Sequence, residues 1–187
     1  MTHSKILVWC TSLIATYHFI IVAQLPTWFR LFMPHNVHLA ISILCALTLI
    51  FLLLPAGGRK HGEDTEADGK FRNVPWYDFV LIAMAAIGAG YVIVDHEAVL
   101  DYGEFGFLDA KGIVLAVLLA IPVMEGVRRT TGWALPIIIL FFVGLVLFQQ
   151  HLPGLLYGRG YPPERMLYAA YVGDAGIFGL PLGIAAN

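Results

Sequence analysis

Charged side chains are scarce. Asp, Glu, Lys and Arg make up 13% of the 187 residues, against 59% apolar residues. A soluble domain carries about a quarter charged residues, so this chain lacks the polar surface to cover a water-soluble globule, and its composition is that of an integral membrane protein. The formal net charge of −2 is scattered along the chain. No basic patch forms, which argues against a nucleic-acid partner. Cysteine is nearly absent: Cys10 and Cys45 each sit inside an apolar run. Helical rise places them at different depths, roughly 8 Å apart, where a disulfide tolerates less than about 7 Å. Two buried free thiols are therefore expected. The seven histidines show no HExxH spacing and no cysteine partners, so no metal centre is expected and no cofactor is implied. A nucleophile elbow, a P-loop and a dinucleotide fingerprint are also missing, and an enzyme reading has no support.

Long apolar runs are what the chain does have. A bilayer core takes about 20 apolar helical residues, and an ordinary strand is excluded there because each backbone hydrogen bond must close within its own segment. Five segments qualify: 6–24, 37–55, 76–94, 108–127 and 132–149. The first has the outline of a signal peptide, but its apolar stretch is too long and no small-x-small site follows it, so it reads as an uncleaved span. The expected fold is an all-α integral membrane protein with five transmembrane helices. The short loops place Lys5, Arg59, Lys60, Lys70, Arg72, Arg128 and Arg129 on one side, and Arg30, Lys111, Arg159 and Arg165 on the other. The positive-inside rule then puts the N-terminus in the cytoplasm and the segment after 149 outside.

Composition shifts divide the chain into a two-helix piece, 1–56, a polar cytoplasmic linker, 57–74, a second helical pair, 75–131, and a C-terminal part, 132–187. The stretch RRTTGWALPIIILFFVGLVLF at 128–148 orders charge, cap, anchor and helix. Arg128 and Arg129 hold a cytoplasmic turn, Thr130 or Thr131 caps the next helix, Trp133 sits at headgroup level, and Pro136 falls where a missing N–H costs little. Glu125 precedes the two arginines by three and four residues, the spacing of a helical ion pair, with a contact to a partner helix or lipid headgroup as the sharper reading. In the third segment Ala85 and Ala89, and Ala86 and Gly90, are four apart, which lets another helix approach closely.

Other polar residues carry weaker signals. Asp109 is expected to cap the fourth span and Lys111 to snorkel. His18 and His38 are ionisable groups within or beside apolar runs, and are expected to be neutral and hydrogen-bonded. The outer loop DHEAVLDYGEFGFLDAK is acidic, with Asp95, Glu97, Asp101, Glu104 and Asp109, but lacks the spacing of a calcium loop. In the tail, Pro162 and Pro163 open a short helix with Glu164 in its first turn, whose Met166, Leu167, Tyr168 and Tyr171 suit the membrane interface. GIFGLPLGIAAN follows, too short and too interrupted to span, and reads as a truncated re-entrant or membrane segment.

Taken in order, YDFVLIAMAAIGAGYVIV, LDAKGIVLAVLLAIPVMEGVRR, TGWALPIIILFFVGLVLF, LPGLLYGRGYPPERMLYAAY and GIFGLPLGIAAN resemble the fused membrane permease of tripartite ATP-independent periplasmic (TRAP) transporters, of the type associated with a TAXI binding protein. The E-x-x-RR-x-x-GWALPI block, Leu152-Pro153-Gly154, Gly160-Tyr161 before an Arg-containing helix, and GIF-G-x-PLG carry the likeness, over residues 75–187. The resemblance implies a secondary transporter of organic anions in the bacterial inner membrane. A soluble periplasmic protein delivers the substrate, and a sodium gradient usually drives uptake. Residues 6–127 then look like the small, scaffolding portion, and 132–149 like the first helix of the large portion that moves substrate. Most of that large portion lies past GIFGLPLG, so a fragment, a truncated product or one chain of a split permease is expected. No substrate or ion ligand is carried over. Gly176, Gly179, Pro181 and Gly183 match the motif as backbone-geometry residues. The alternative is a membrane anchor or assembly protein that binds a partner through its acidic outer loop.

Overall fold

The structure is a computed structural model that describes residues 2–23, 25–28, 34–54, 56, 75–154, 157–158, 160–173 and 176–177. Among these, every regular element is helical: α1 (Thr2–Val22), α2 (Leu25–Trp28), α3 (His35–Leu53), α4 (Trp76–Val94), α5 (His96–Phe105), α6 (Ala110–Thr131), α7 (Ala134–Leu147), a 3-10 turn at Gln149–His151, and α8 (Pro163–Tyr171). The segment 57–74, expected as a polar linker, lies outside the described residues.

Among the described residues, three helices are long and apolar enough to cross a membrane: Asn36–Leu53, Trp76–Val94 and Ala110–Thr131. The other two expected spans are shorter as apolar helices, Thr11–Ile21 and Ala134–Leu147. The 14 residues of α7 rise about 21 Å, less than the ~30 Å of a bilayer core. Its limits have local causes. Gly132 ends α6 with φ +80°, and the chain tightens into the 3-10 turn after Phe148.

The three long helices pack as one unit. A bilayer would supply no hydrophobic drive between such helices, leaving close packing and interhelical bonds to hold them. α3 contributes the stripe Leu39, Ile43, Leu47 and Phe51; α4 contributes Ala85, Ala89 and Val92; α6 contributes Ala116 and Leu119. Gly88 brings α4 and α6 together: a Cβ there would stand 2.9 Å from Leu119 Cβ and 3.2 Å from the Leu115 carbonyl oxygen. Gly126 does the same for α6 and α3, with Leu47 Cδ2 at 3.0 Å from its notional Cβ.

The acidic segment 95–111, expected as an outer loop, is a helix over most of its length. Asp95 caps α5 through the Ala98 amide, at 3.5 Å, and Gly106 closes it in the left-handed region at φ +69°. Val99, on its inner side, is buried. α8 forms where Pro162 and Pro163 start it, but its apolar side faces protein. Tyr171 is buried and donates to the Gly88 carbonyl oxygen at 2.8 Å, while Leu167, Tyr168, Val172 and Ile177 pack on the core. Gly88 lies six residues before the end of α4, so the tip of α8 reaches about 9 Å down that helix. At the following turn Gly176 approaches α8 closely, since a Cβ would fall 2.4 Å from the Ala169 carbonyl oxygen.

Candidate functional site: an ionic junction at one end of the bundle

The ends of α3, α4 and α6 meet around Arg129. This residue is 0% exposed and Asp78 is 1% exposed, where the described residues are otherwise poor in buried charge. Each group stands where its helix favours it. Asp78 is in the first turn of α4, and both arginines are in the last turn of α6, so carboxylate and guanidinium complement the dipoles of their own helices.

The arginine donors are distributed over all three helices. Arg129 donates through Nη2 to Asp78 Oδ1 on α4, through Nε to Glu125 Oε1 at 2.8 Å, and through Nη1 to the Leu54 carbonyl oxygen at 3.1 Å. Leu54 caps α3, whose last carbonyls have no partner within the helix. Arg128 grips Glu125 with two bonds, Nε to Oε2 at 2.6 Å and Nη2 to Oε1 at 2.7 Å, and also donates to the Ala56 carbonyl oxygen. Both guanidiniums lie over aromatic faces, Arg129 above Phe51 at 4.9 Å and Arg128 above Trp133 at 5.1 Å. Two cations and two carboxylates sum to zero charge, the condition under which a buried cluster is tolerated. What the junction can do chemically is hold position: it fixes three helix ends and the start of the turn into α7.

Glu125, Arg128 and Arg129 are brought together as the helical spacing implied. Asp78 was not singled out from the sequence. The signal was present, because it is the one charged residue in Trp76–Val94, and a lone carboxylate in an apolar helix requires a partner. Thr130 and Thr131 do not cap α7. Both belong to α6 and donate back to carbonyls of residues 126 and 127, while Trp133 opens α7 without a side-chain cap bond. Pro136 is buried in the first turn of α7. The two small-residue pairs of α4 separate: Ala85 and Ala89 are fully buried, whereas Ala86 is exposed and a Cβ on Gly90 would meet nothing within 4 Å. Gly179, Pro181 and Gly183 lie outside the described residues.

Two further polar groups stand apart from the junction. Asp109 caps α6, accepting from the Gly112 amide at 2.7 Å and from the Tyr102 hydroxyl at 2.6 Å. The Tyr102 bond, then the Gly112 bond, hold its carboxyl below the usual value. Burial first, and the bond to Asp109 second, push the Tyr102 hydroxyl up. Between α1 and α3, the Tyr17 hydroxyl lies 3.0 Å from His38 Nδ1, and His18 Nε2 lies 2.9 Å from Ser42 Oγ. Cys45 is a half-buried free thiol, and the side chain of Cys10 lies outside the described residues. Among the described residues, no group of three His, Cys, Asp or Glu side chains is placed to hold a metal ion.

The chain matches no family model, no curated protein and no solved structure.

Proposed function

We propose that the chain is the scaffolding part of a TRAP-type permease in the bacterial inner membrane. In this reading it supports uptake of organic anions that a periplasmic binding protein delivers and an ion gradient drives. The observation that carries the reading is the asymmetry on either side of the α6–α7 turn. On one side three long helices are locked by packing and by the Arg129 junction. On the other side α7 leaves Leu135, Ile137, Ile138, Leu140, Phe141 and Phe142 exposed. A rigid three-helix unit joined at a glycine turn to an uncovered apolar helix suits a scaffold attached to a larger membrane portion. The proposed topology has α1 and α7 as further membrane segments, with the Arg129 end in the cytoplasm, where the two arginines set the orientation.

The test is purification of the tagged full chain from its own membranes in mild detergent, with uptake measured after the gene is deleted. A large multi-pass chain and a soluble periplasmic binding protein should co-purify in near-equal amounts, and gradient-driven uptake of one organic anion should disappear on deletion. A chain that purifies alone, from cells whose organic anion uptake is unchanged, overturns the proposal. It would leave a membrane anchor that offers Glu97 and Asp101, exposed one turn apart on α5.

A further inference from the structure

We propose that the Arg128 corner of the ionic junction holds the phosphate of a membrane phospholipid, with Tyr77, Trp76 and Trp133 around it. The proposal rests on the membrane part of the reading above and not on transport.

The junction leaves one edge of Arg128 unused. Its Nε and Nη2 are engaged by Glu125 and by the Ala56 carbonyl oxygen. Nη1 has no acceptor among the described residues. The Arg128 side chain is also 15% exposed, whereas that of Arg129 is fully covered. A terminal guanidinium nitrogen carries two hydrogens, and arginine offers them to a phosphate as charge-assisted bonds. Tyr77, in the first turn of α4, lies near enough to act on the Arg128 charge. Its hydroxyl likewise has no acceptor among the described residues. The four junction charges cancel, so a phosphate approaches the nearest cation without net repulsion.

The rings around this corner face outward. Trp76 is 77% exposed, Trp133 63% and Tyr77 38%. Trp76 stands edge-on to Tyr77, and the Arg128 guanidinium lies over the Trp133 ring. Both indole N–H groups are donors with no acceptor among the described residues. A surface with an apolar body and spare donors suits the ester and phosphate oxygens of a headgroup layer. The opposite end differs, because there the Tyr91 and Tyr102 hydroxyls donate to Asp95 and Asp109. Between Asp109 and Arg128 the helix rises about 28 Å, close to the ~30 Å core of a bilayer. A phosphate at Arg128 therefore stands at the depth of a headgroup.

The experiment is native mass spectrometry of the full chain in mild detergent, titrated with dioleoyl phosphatidylglycerol. One phospholipid should bind saturably. Arg128→Gln should weaken binding about tenfold or more, and Tyr77→Phe about fivefold. Lys111→Gln, at the opposite end, should leave it unchanged. Tyr77→Phe removes a hydroxyl that no described residue bonds, so its melting point should stay at the wild-type value and its loss of binding is separable from misfolding. Glycerol phosphate should not compete at equal concentration, because it lacks acyl chains; competition would make the corner a free-anion site and overturn the lipid assignment. Equal binding by the wild type, Arg128→Gln and Tyr77→Phe, in a chain recovered from cell membranes, overturns this proposal alone. A chain recovered in the soluble fraction overturns it together with the membrane reading.

Discussion

Replacing Asp78 by alanine should cost this chain much of its stability. The side chain of Arg129 is 0% exposed and that of Asp78 2% exposed, so water cannot take over when the carboxylate is removed. The guanidinium would be left with Glu125, whose oxygens already serve Arg128. Breaking a buried pair from one side costs about 3–5 kcal/mol. For a chain of this size each kcal/mol corresponds to about 2–4 °C, so the melting point should fall by about 6–20 °C. Asp78→Asn keeps the volume and one acceptor oxygen but loses the charge, and should cost about 2 kcal/mol. The informative variant is Asp78→Leu combined with Arg129→Met. It removes both charges, leaves Glu125 with Arg128, and should return to within about 1 kcal/mol of the wild type or exceed it. Thermal unfolding of purified protein in detergent, followed by the fluorescence of Trp76 and Trp133, measures all three. The reasoning fails if Asp78→Ala melts with the wild type, or if the double variant is less stable than Asp78→Ala.

Three other outcomes follow from the same geometry. Gly88→Leu should push α4 from α6 and cost about 1–3 kcal/mol or more, while Gly90→Leu, with open space around it, should change the melting point little; the pair is read in one denaturation series. Tyr171→Phe should cost about 1 kcal/mol and raise protease cleavage after α8, since it removes the bond that seats the helix on Gly88. Asp109 has a lowered folded-state pKa, so its contribution is complete above the ordinary carboxylate value and is lost as pH falls below it. The deficit of Asp109→Asn against the wild type in acid unfolding should therefore be full above about pH 5 and shrink as the pH falls through the ordinary carboxylate value.

The long helices were legible because a bilayer imposes a length on apolar runs, and three runs meet it. Glu125, Arg128 and Arg129 were legible because their relation is local to one helix. Asp78 is 51 residues from Arg129, and no periodicity links positions across a polar segment. The choice between the two small faces of α4 was also beyond the sequence. Both pairs satisfy the four-residue spacing, and only the packing of α3 and α6 on α4 decides which face is covered. The α5 segment reads as a loop because acidic residues mask its short apolar side, although Asp95 and Gly106 mark its two ends. Thr130 and Thr131 had the chemistry of caps, but Gly132 stops α6 after them and leaves them inside the earlier helix.

Arg129 also changes what the covalent backbone must accomplish. The Leu54 carbonyl and the Asp78 carboxylate stand on opposite sides of residues 57–74, and one guanidinium holds both. Continuity between α3 and α4 is therefore redundant for keeping those helix ends together. A gene divided within 57–74 would give two polypeptides able to reassemble. Insertions in that segment would be absorbed without shifting one helix along another, which makes it the natural place for a tag.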